Sequence, residues 1–220
     1  MDSGVVDARL PSTGVETRPR VWIVDDDIGI RDALSRLLRA TALEVETFAS
    51  AQAFLDRFAR ERPRCVVLDL ALPEFTGLDL LQFLHRRGEP VPVVFVSGTG
   101  DVASSVEAMK QGAIDFLEKP ADPDALLAAV MRALALEAEW RRTRDRIDEA
   151  ARLLERLTPR EREVLDHVAQ GKANKQIAAD LGMSEKTVKV HRGRVMHKLG
   201  STSVVDLVHL TERAAGLDPG

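Results

Sequence analysis

An apolar run, Val21-Trp22-Ile23-Val24, stops at three consecutive carboxylates, Asp25-Asp26-Asp27. A second run, Cys65-Val66-Val67-Leu68, stops at Asp69. A third, Val91 to Val96, stops at Ser97, and Asp115 to Glu118 leads into Lys119-Pro120. Carboxylates held together repel one another and resist ionising. A hard divalent cation relieves that cost, and oxygen ligands with retained waters favour Mg²⁺. A lysine beside the cluster attracts a phosphoryl group, and a serine hydroxyl can hydrogen-bond one of its oxygens. If the segment ends meet, the set is equipment for transferring a phosphoryl group to an aspartate.

The intervening sequence supplies elements that make them meet. Short, continuously apolar runs bounded by turns suit parallel strands buried on both faces. Glu44 to Phe48 and Asp115 to Glu118 complete a set of five strands. Helix-like stretches lie between them, over Ile28 to Ala40, Ala51 to Glu61, Leu78 to Arg87 and Val102 to Gln111. That alternation predicts a doubly wound, five-stranded parallel sheet of flavodoxin-like order, with ligands at the carboxyl ends of the strands. Asp27 is expected to cap the first helix rather than hold a metal.

Charge divides the chain. Residues 20–136 carry a net charge of −5 and residues 158–220 a net +2, within an overall −4. No apolar run reaches the roughly 18 residues of a membrane span. Met1 to Arg20 has no apolar core behind a basic start, so no signal peptide is expected and residues 1–19 read as a flexible tail. The single cysteine, Cys65, forms no internal disulfide and no thiolate metal site. A reducing, cytoplasmic compartment is the expectation.

Taken together, Val24-Asp25-Asp26-Asp27, Leu68-Asp69-Leu70-Ala71-Leu72-Pro73 with Gly77, Val96-Ser97-Gly98 and Phe116-Leu117-Glu118-Lys119-Pro120 resemble the receiver domain of bacterial two-component response regulators. The resemblance implies Asp69 as phosphoacceptor, with a sensor histidine kinase as donor. It implies Mg²⁺ held by Asp26, Asp69 and the Ala71 carbonyl, with Asp25 completing the cluster. It implies Lys119 and Ser97 at the phosphoryl group, and Phe116 and Ser97 as the switch. An aspartyl phosphatase of the haloacid-dehalogenase kind is the enzymatic rival. Such enzymes need a second acid two residues after the nucleophile, where this chain has Ala71, so a turnover enzyme is not expected.

Beyond Asp124 no Gly or Pro interrupts the chain as far as Leu157. Thr158-Pro159 then starts a helix, with Glu161 completing a capping box. Helices follow over Pro159 to Gln170, Asn174 to Leu181, Ser184 to Leu199 and Ser203 to Ala215, punctuated by Gly171, Gly182 and Gly200. Asn174 to Leu199 reads as helix-turn-helix, its second helix capped by Ser184 and carrying Lys186, Lys189, Arg192, Arg194 and Lys198. A positive second helix suits the DNA major groove. Leu157 to Leu165, Asn174-Lys175-Gln176-Ile177-Ala178 and Thr187-Val188-Lys189-Val190-His191 resemble the LuxR-type DNA-binding domain. By that resemblance Lys189 and Val190 contact bases, while Lys175, Thr187, Arg192 and Arg194 serve the backbone, and the capping Ser184 is counted with the DNA-binding residues. Gly193, inside the second helix, suggests close approach to DNA or to a neighbouring helix. The two modules, with Gly98-Thr99-Gly100-Asp101-Val102 between strand and helix, resemble FixJ-like transcriptional activators.

The implied architecture is an α/β receiver domain (20–136), a long linker helix (137–157) and an all-α, four-helix helix-turn-helix domain (158–220). Ala133, Leu136, Trp140, Thr143, Ile147, Ala150, Leu154 and Leu157 fall at heptad spacing and predict a dimerisation seam. In a parallel pair Arg132 would face Glu137 of the second copy. Leu136, Trp140, Ile147 and Leu154, with Val106, Met109 and Lys110 on the receiver, are the expected dimer contacts. The expected partners are a sensor histidine kinase, double-stranded promoter DNA, RNA polymerase and, on phosphorylation, a second copy. A constitutive DNA-binding dimer without phosphoryl control is the second rival.

Overall fold

Strands buried on both faces need apolar side chains at successive positions, and those are the residues that form the three central strands of the sheet here. The computed structural model describes residues 18–73, 75–88, 90–98 and 102–217. Most of the expected tail, Thr99 to Asp101 of the glycine-containing run and the last three residues lie outside the described residues. The chain divides into two units, Met1–Glu137 and Ala138–Gly220, each taken by itself below.

In the first unit β1 (Arg20–Val24), β2 (Glu44–Phe48), β3 (Cys65–Leu68), β4 (Val93–Ser97) and β5 (Asp115–Glu118) form one sheet in the order β2-β1-β3-β4-β5. All neighbours are parallel. The third apolar run therefore starts two residues later than its composition suggests. Pro92 has no N–H for the ladder, although its carbonyl still accepts from Val66 at 3.0 Å.

Helices cover both faces. α1 (Ile28–Arg39) and the first turns of α5 (Pro123–Glu155) bury Leu34, Leu38, Leu126, Ala129, Val130 and Ala133 against Val21, Ile23 and Val67. α2 (Ala51–Phe58), α3 (Gly77–Arg86) and α4 (Val102–Lys110) cover the other face, where Trp22 packs 4.9 Å from Phe48 and 5.6 Å from Phe54 between ring centroids. Local chemistry starts these helices where the strands end. Asp27 accepts from the Gly29 and Ile30 amides, Ser50 caps α2, and Thr76 with Asp79 forms a capping box on α3.

The second unit packs α6 (Pro159–Ala169), α7 (Asn174–Leu181), α8 (Glu185–Leu199) and α9 (Val204–Ala214) around Val164, Leu165, Ile177, Val188 and Val195. Leu154, at the end of α5, belongs to the same core and is only 5% exposed. The proposed heptad seam needs correction at both ends. Ala133 is fully buried in the first unit, and Ala150 and Leu154 are buried in the second. Side chains spent on an internal core are not available to a second copy. Arg132 and Glu137 are also engaged within the chain, by Asp115 and by Arg64 at 2.6 Å. Of the expected contacts on α5, Leu136, Trp140 and Ile147 stay partly exposed.

Glu161 is a charged side chain inside the second unit. It accepts from Lys198 at 2.6 Å and from the Thr158 amide at 2.9 Å. The Lys198 bond, then the Thr158 amide, lower its carboxyl from the usual 4.5 to about 2. A depressed carboxyl stabilises the fold fully above the unfolded value and loses that contribution as pH falls through the folded one. Denaturant midpoints of this unit should therefore fall between about pH 4.5 and 2, on top of any general acid effect. In Glu161→Gln that window should flatten; an unchanged pH profile would show that the ion pair does not hold this unit together.

Candidate functional site

The register of the sheet places four chemically active side chains side by side. Val24 lies beside Leu68, Leu68 beside Phe95, and Ser97 beside Glu118. One step beyond β1 and β3 come Asp25 and Asp69, both buried, and one step beyond β5 comes Lys119. Asp25, Asp26 and Asp69 each offer a carboxylate oxygen within 4.8 Å of the others. The Lys119 ammonium sits 2.6 Å from Asp25 Oδ2 and 2.9 Å from Asp69 Oδ2.

Three carboxylates thus face one ammonium. Burial raises the Asp25 carboxyl above its ordinary value, even though Lys119 and the Asp27 amide, 2.9 Å away, pull it down. Burial would lower the Lys119 ammonium, but the carboxylates of Asp25 and Asp69 reverse this and hold it above its ordinary value. Lysine is therefore a firm positive charge there, and Asp25 remains incompletely compensated. An all-oxygen donor set with surplus negative charge fits a hard divalent cation. The Ala71 amide donates to Asp69 Oδ1 at 3.3 Å, and an isolated bridge between Ala71 and Thr76 braces the loop that Ala71 begins.

Ser97 is buried at the end of β4, and its carbonyl accepts from the Lys119 amide at 2.9 Å. Phe116 is half-buried, its ring 6.3 Å from Phe95. It lines a groove with Ser105, Val106, Met109, Lys110 and Asp115. Val106 and Met109 are 45% and 48% exposed there, an apolar strip on the outer side of α4. Asp27 is occupied in capping α1.

Two supporting residues had no role assigned from sequence. Arg31 donates to the Asp25 carbonyl at 2.6 Å. At Gly77 a Cβ would lie 2.5 Å from the Asp69 carbonyl oxygen and 2.7 Å from the Phe95 ring. Thr76-x-x-Asp79 has the spacing of a capping box, a local signal of the turn that precedes Gly77. The approach of Gly77 to Asp69 depends on tertiary packing and left no local signal.

In the second unit Val188, Val195 and Leu199 turn inward, leaving Lys186, Thr187, Lys189, Val190, Gly193 and Arg194 exposed on α8. Ser184 caps the helix through the Thr187 amide, and its hydroxyl lies 2.8 Å from that of Thr187. Gly182 makes the preceding turn at φ 64°, and Lys175 is exposed on α7. Arg192 donates to Asn174 Oδ1 at 2.8 Å and ties α8 to the start of α7. Lys198, expected on the positive face, is instead bonded to Glu161 and to the Arg156 carbonyl. His191 is half-buried. A Cβ on Gly193 would meet nothing within 4 Å, so no neighbouring helix demands that glycine.

The family profile "Response regulator receiver domain" matches residues 21–131, and that for "Bacterial regulatory proteins, luxR family" matches 155–211. The chain belongs to the response regulators with a LuxR-type DNA-binding domain. This regulator is similar to the response regulator protein TodT of Pseudomonas putida, 43% identical over 193 residues that cover 88% of this chain and 85% of TodT. It is also 43% identical to the transcriptional regulatory protein FixJ of Azorhizobium caulinodans, over 90% of this chain and 94% of that one. The solved response regulator StyR superposes with a TM-score of 0.78 at 44% identity, covering 90% of this chain and all of that one. Full-length FixJ from B. japonicum gives 0.56 at 37%, covering 90% and 98%.

The family couples phosphorylation of the receiver to transcription regulation, and its members are not enzymes in the usual sense. A sensor kinase and DNA are thereby implied as partners of this regulator. Among the described residues no helix is long and apolar enough to cross a membrane. The packing at Gly77 sets a requirement on the pocket: Gly77→Ala should displace the Asp69 carbonyl and lower both thermal stability and the rate of phosphoryl uptake. Normal stability and uptake in that variant would show that the loop yields without consequence.

Proposed function

We propose that Asp69 accepts a phosphoryl group from a phosphohistidine on the sensor kinase. The observation that carries this is the buried Asp69 carboxylate beside the Lys119 ammonium, with Asp25 and Asp26 within ligand distance. An Asp69 oxygen attacks phosphorus, the bond to the histidine nitrogen breaks, and the electron pair leaves with the imidazole. Asp25, Asp26, Asp69 and the Ala71 carbonyl would hold Mg²⁺, which would offset negative charge on the phosphoryl oxygens. Lys119 binds and orients the group. Ser97 then turns towards it and Phe116 follows, altering the groove beside Val106, Met109 and Lys110.

In this reading that altered groove promotes dimerisation, with Leu136, Trp140 and Ile147 as further contacts. The dimer binds promoter DNA through α8. Lys189 and Val190 meet base edges, while Lys175, Ser184, Thr187, Arg192 and Arg194 meet phosphates and sugars. The working units are residues 20–136 for reception, 137–157 for linkage and 158–220 for DNA binding. The setting is the cytoplasm, with RNA polymerase as a further partner.

Asp69→Asn keeps the side chain's shape and removes the nucleophile. Treated with a small phosphodonor and Mg²⁺, the parent should gain the mass of one phosphoryl group and shift towards dimer in analytical ultracentrifugation. Asp69→Asn should do neither. Equal incorporation by the variant would overturn the assignment, and steady phosphate release would favour a phosphatase.

The two lysines should behave differently. Lys189→Ala should lower affinity for a selected operator by about 10-fold, with little change on scrambled DNA, whereas Lys175→Ala should weaken both by similar factors. Titrations at fixed salt read the difference, and parallel losses would misplace the reading surface.

A further inference from the structure

A glycine inside an α-helix lowers stability relative to alanine unless something occupies the space its Cβ would need. Gly193 sits in the middle of α8, Glu185–Leu199, and nothing lies within 4 Å of that space. The fold therefore gains nothing from the missing methyl.

Successive residues turn by about 100° on a helix, which puts Gly193 about 140° from the buried Val188 and about 160° from the buried Val195. It is thus on the face turned away from the core. Lys189 and Val190 flank it one turn before, and His197 one turn after, all of them exposed. Lys186 and Arg194 make the same face cationic, which suits a polyanion. Val190, 46% exposed, is the apolar member beside the gap.

We propose that Gly193 is a specificity-determining residue. It leaves open space on the outward side of α8, one turn from Lys189 and Val190, a notch that accepts the C5-methyl of a thymine. Thymine's methyl is the apolar group that base edges present in the major groove, so the notch selects a T·A pair. The proposal rests on DNA binding through α8, and the experiment separates the two.

Duplexes selected from a randomised pool by the phosphorylated parent serve as the probe. Gly193→Ala should raise the melting temperature and lower affinity for the selected duplex by about 10-fold, leaving affinity for scrambled duplex unchanged. Replacing one thymine of the selected duplex by deoxyuridine should cost the parent a similar factor and the variant much less. Equal binding of the selected duplex by Gly193→Ala would overturn the notch. So would equal losses on both duplexes, a lowered melting temperature, or a parent insensitive to deoxyuridine at every thymine. Failure of the parent to enrich any duplex would overturn binding through α8, and the notch with it.

Discussion

The chemistry of the first unit depends on one buried ionic contact, Lys119 between the carboxylates of Asp25 and Asp69. Burying charge is costly, and the cost is tolerated only where an opposite charge is held close. Here the ammonium is shared between two acids, so neither carboxylate is fully neutralised. That imbalance suits a site that takes up a cation and a phosphoryl group: both arrive at a place already arranged for them. The arrangement rests on the parallel register, which ends β1, β3 and, beyond β4, β5 along one edge of the sheet. It also rests on Gly77, which lets α3 begin against the backbone of Asp69.

The second unit uses a buried ion pair differently. Glu161 and Lys198 join the start of α6 to the end of α8 while Val188, Val195 and Leu199 anchor α8 in the core. Side chains committed to holding the helix cannot also reach DNA. Lys198 is committed in this way, which concentrates the exposed chemistry on Lys186, Lys189, Val190, Gly193 and Arg194. The reading surface is defined as much by what the core withdraws as by what the helix presents.

Helix α5 contributes to both units, and that limits what it can offer elsewhere. Ala133 packs in the first core and Leu154 in the second. Of the apparent seam, Leu136, Trp140 and Ile147 in the middle and Leu157 at the end keep apolar surface partly accessible. A heptad pattern records that one side of a helix is apolar and says nothing about which surface covers it.

Much of this protein was legible in its residues alone. Apolar runs ending in Asp25, Asp69 and Ser97, with Asp115 to Glu118 leading into Lys119, predicted a parallel sheet and its active edge, because strand period and burial are local properties of sequence. Thr158 and Ser184 marked helix starts for the same reason, since capping involves neighbours three residues apart. The tertiary structure decided what depends on residues distant in sequence. It placed Pro92 outside the ladder, gave Lys198 to Glu161, paired Glu137 with Arg64 and enclosed Leu154 in a core. It also put Gly77 against Asp69 and left Gly193 facing open space. A glycine looks the same in sequence whether its missing side chain admits a backbone or leaves a gap, and only the packing around it tells the two apart.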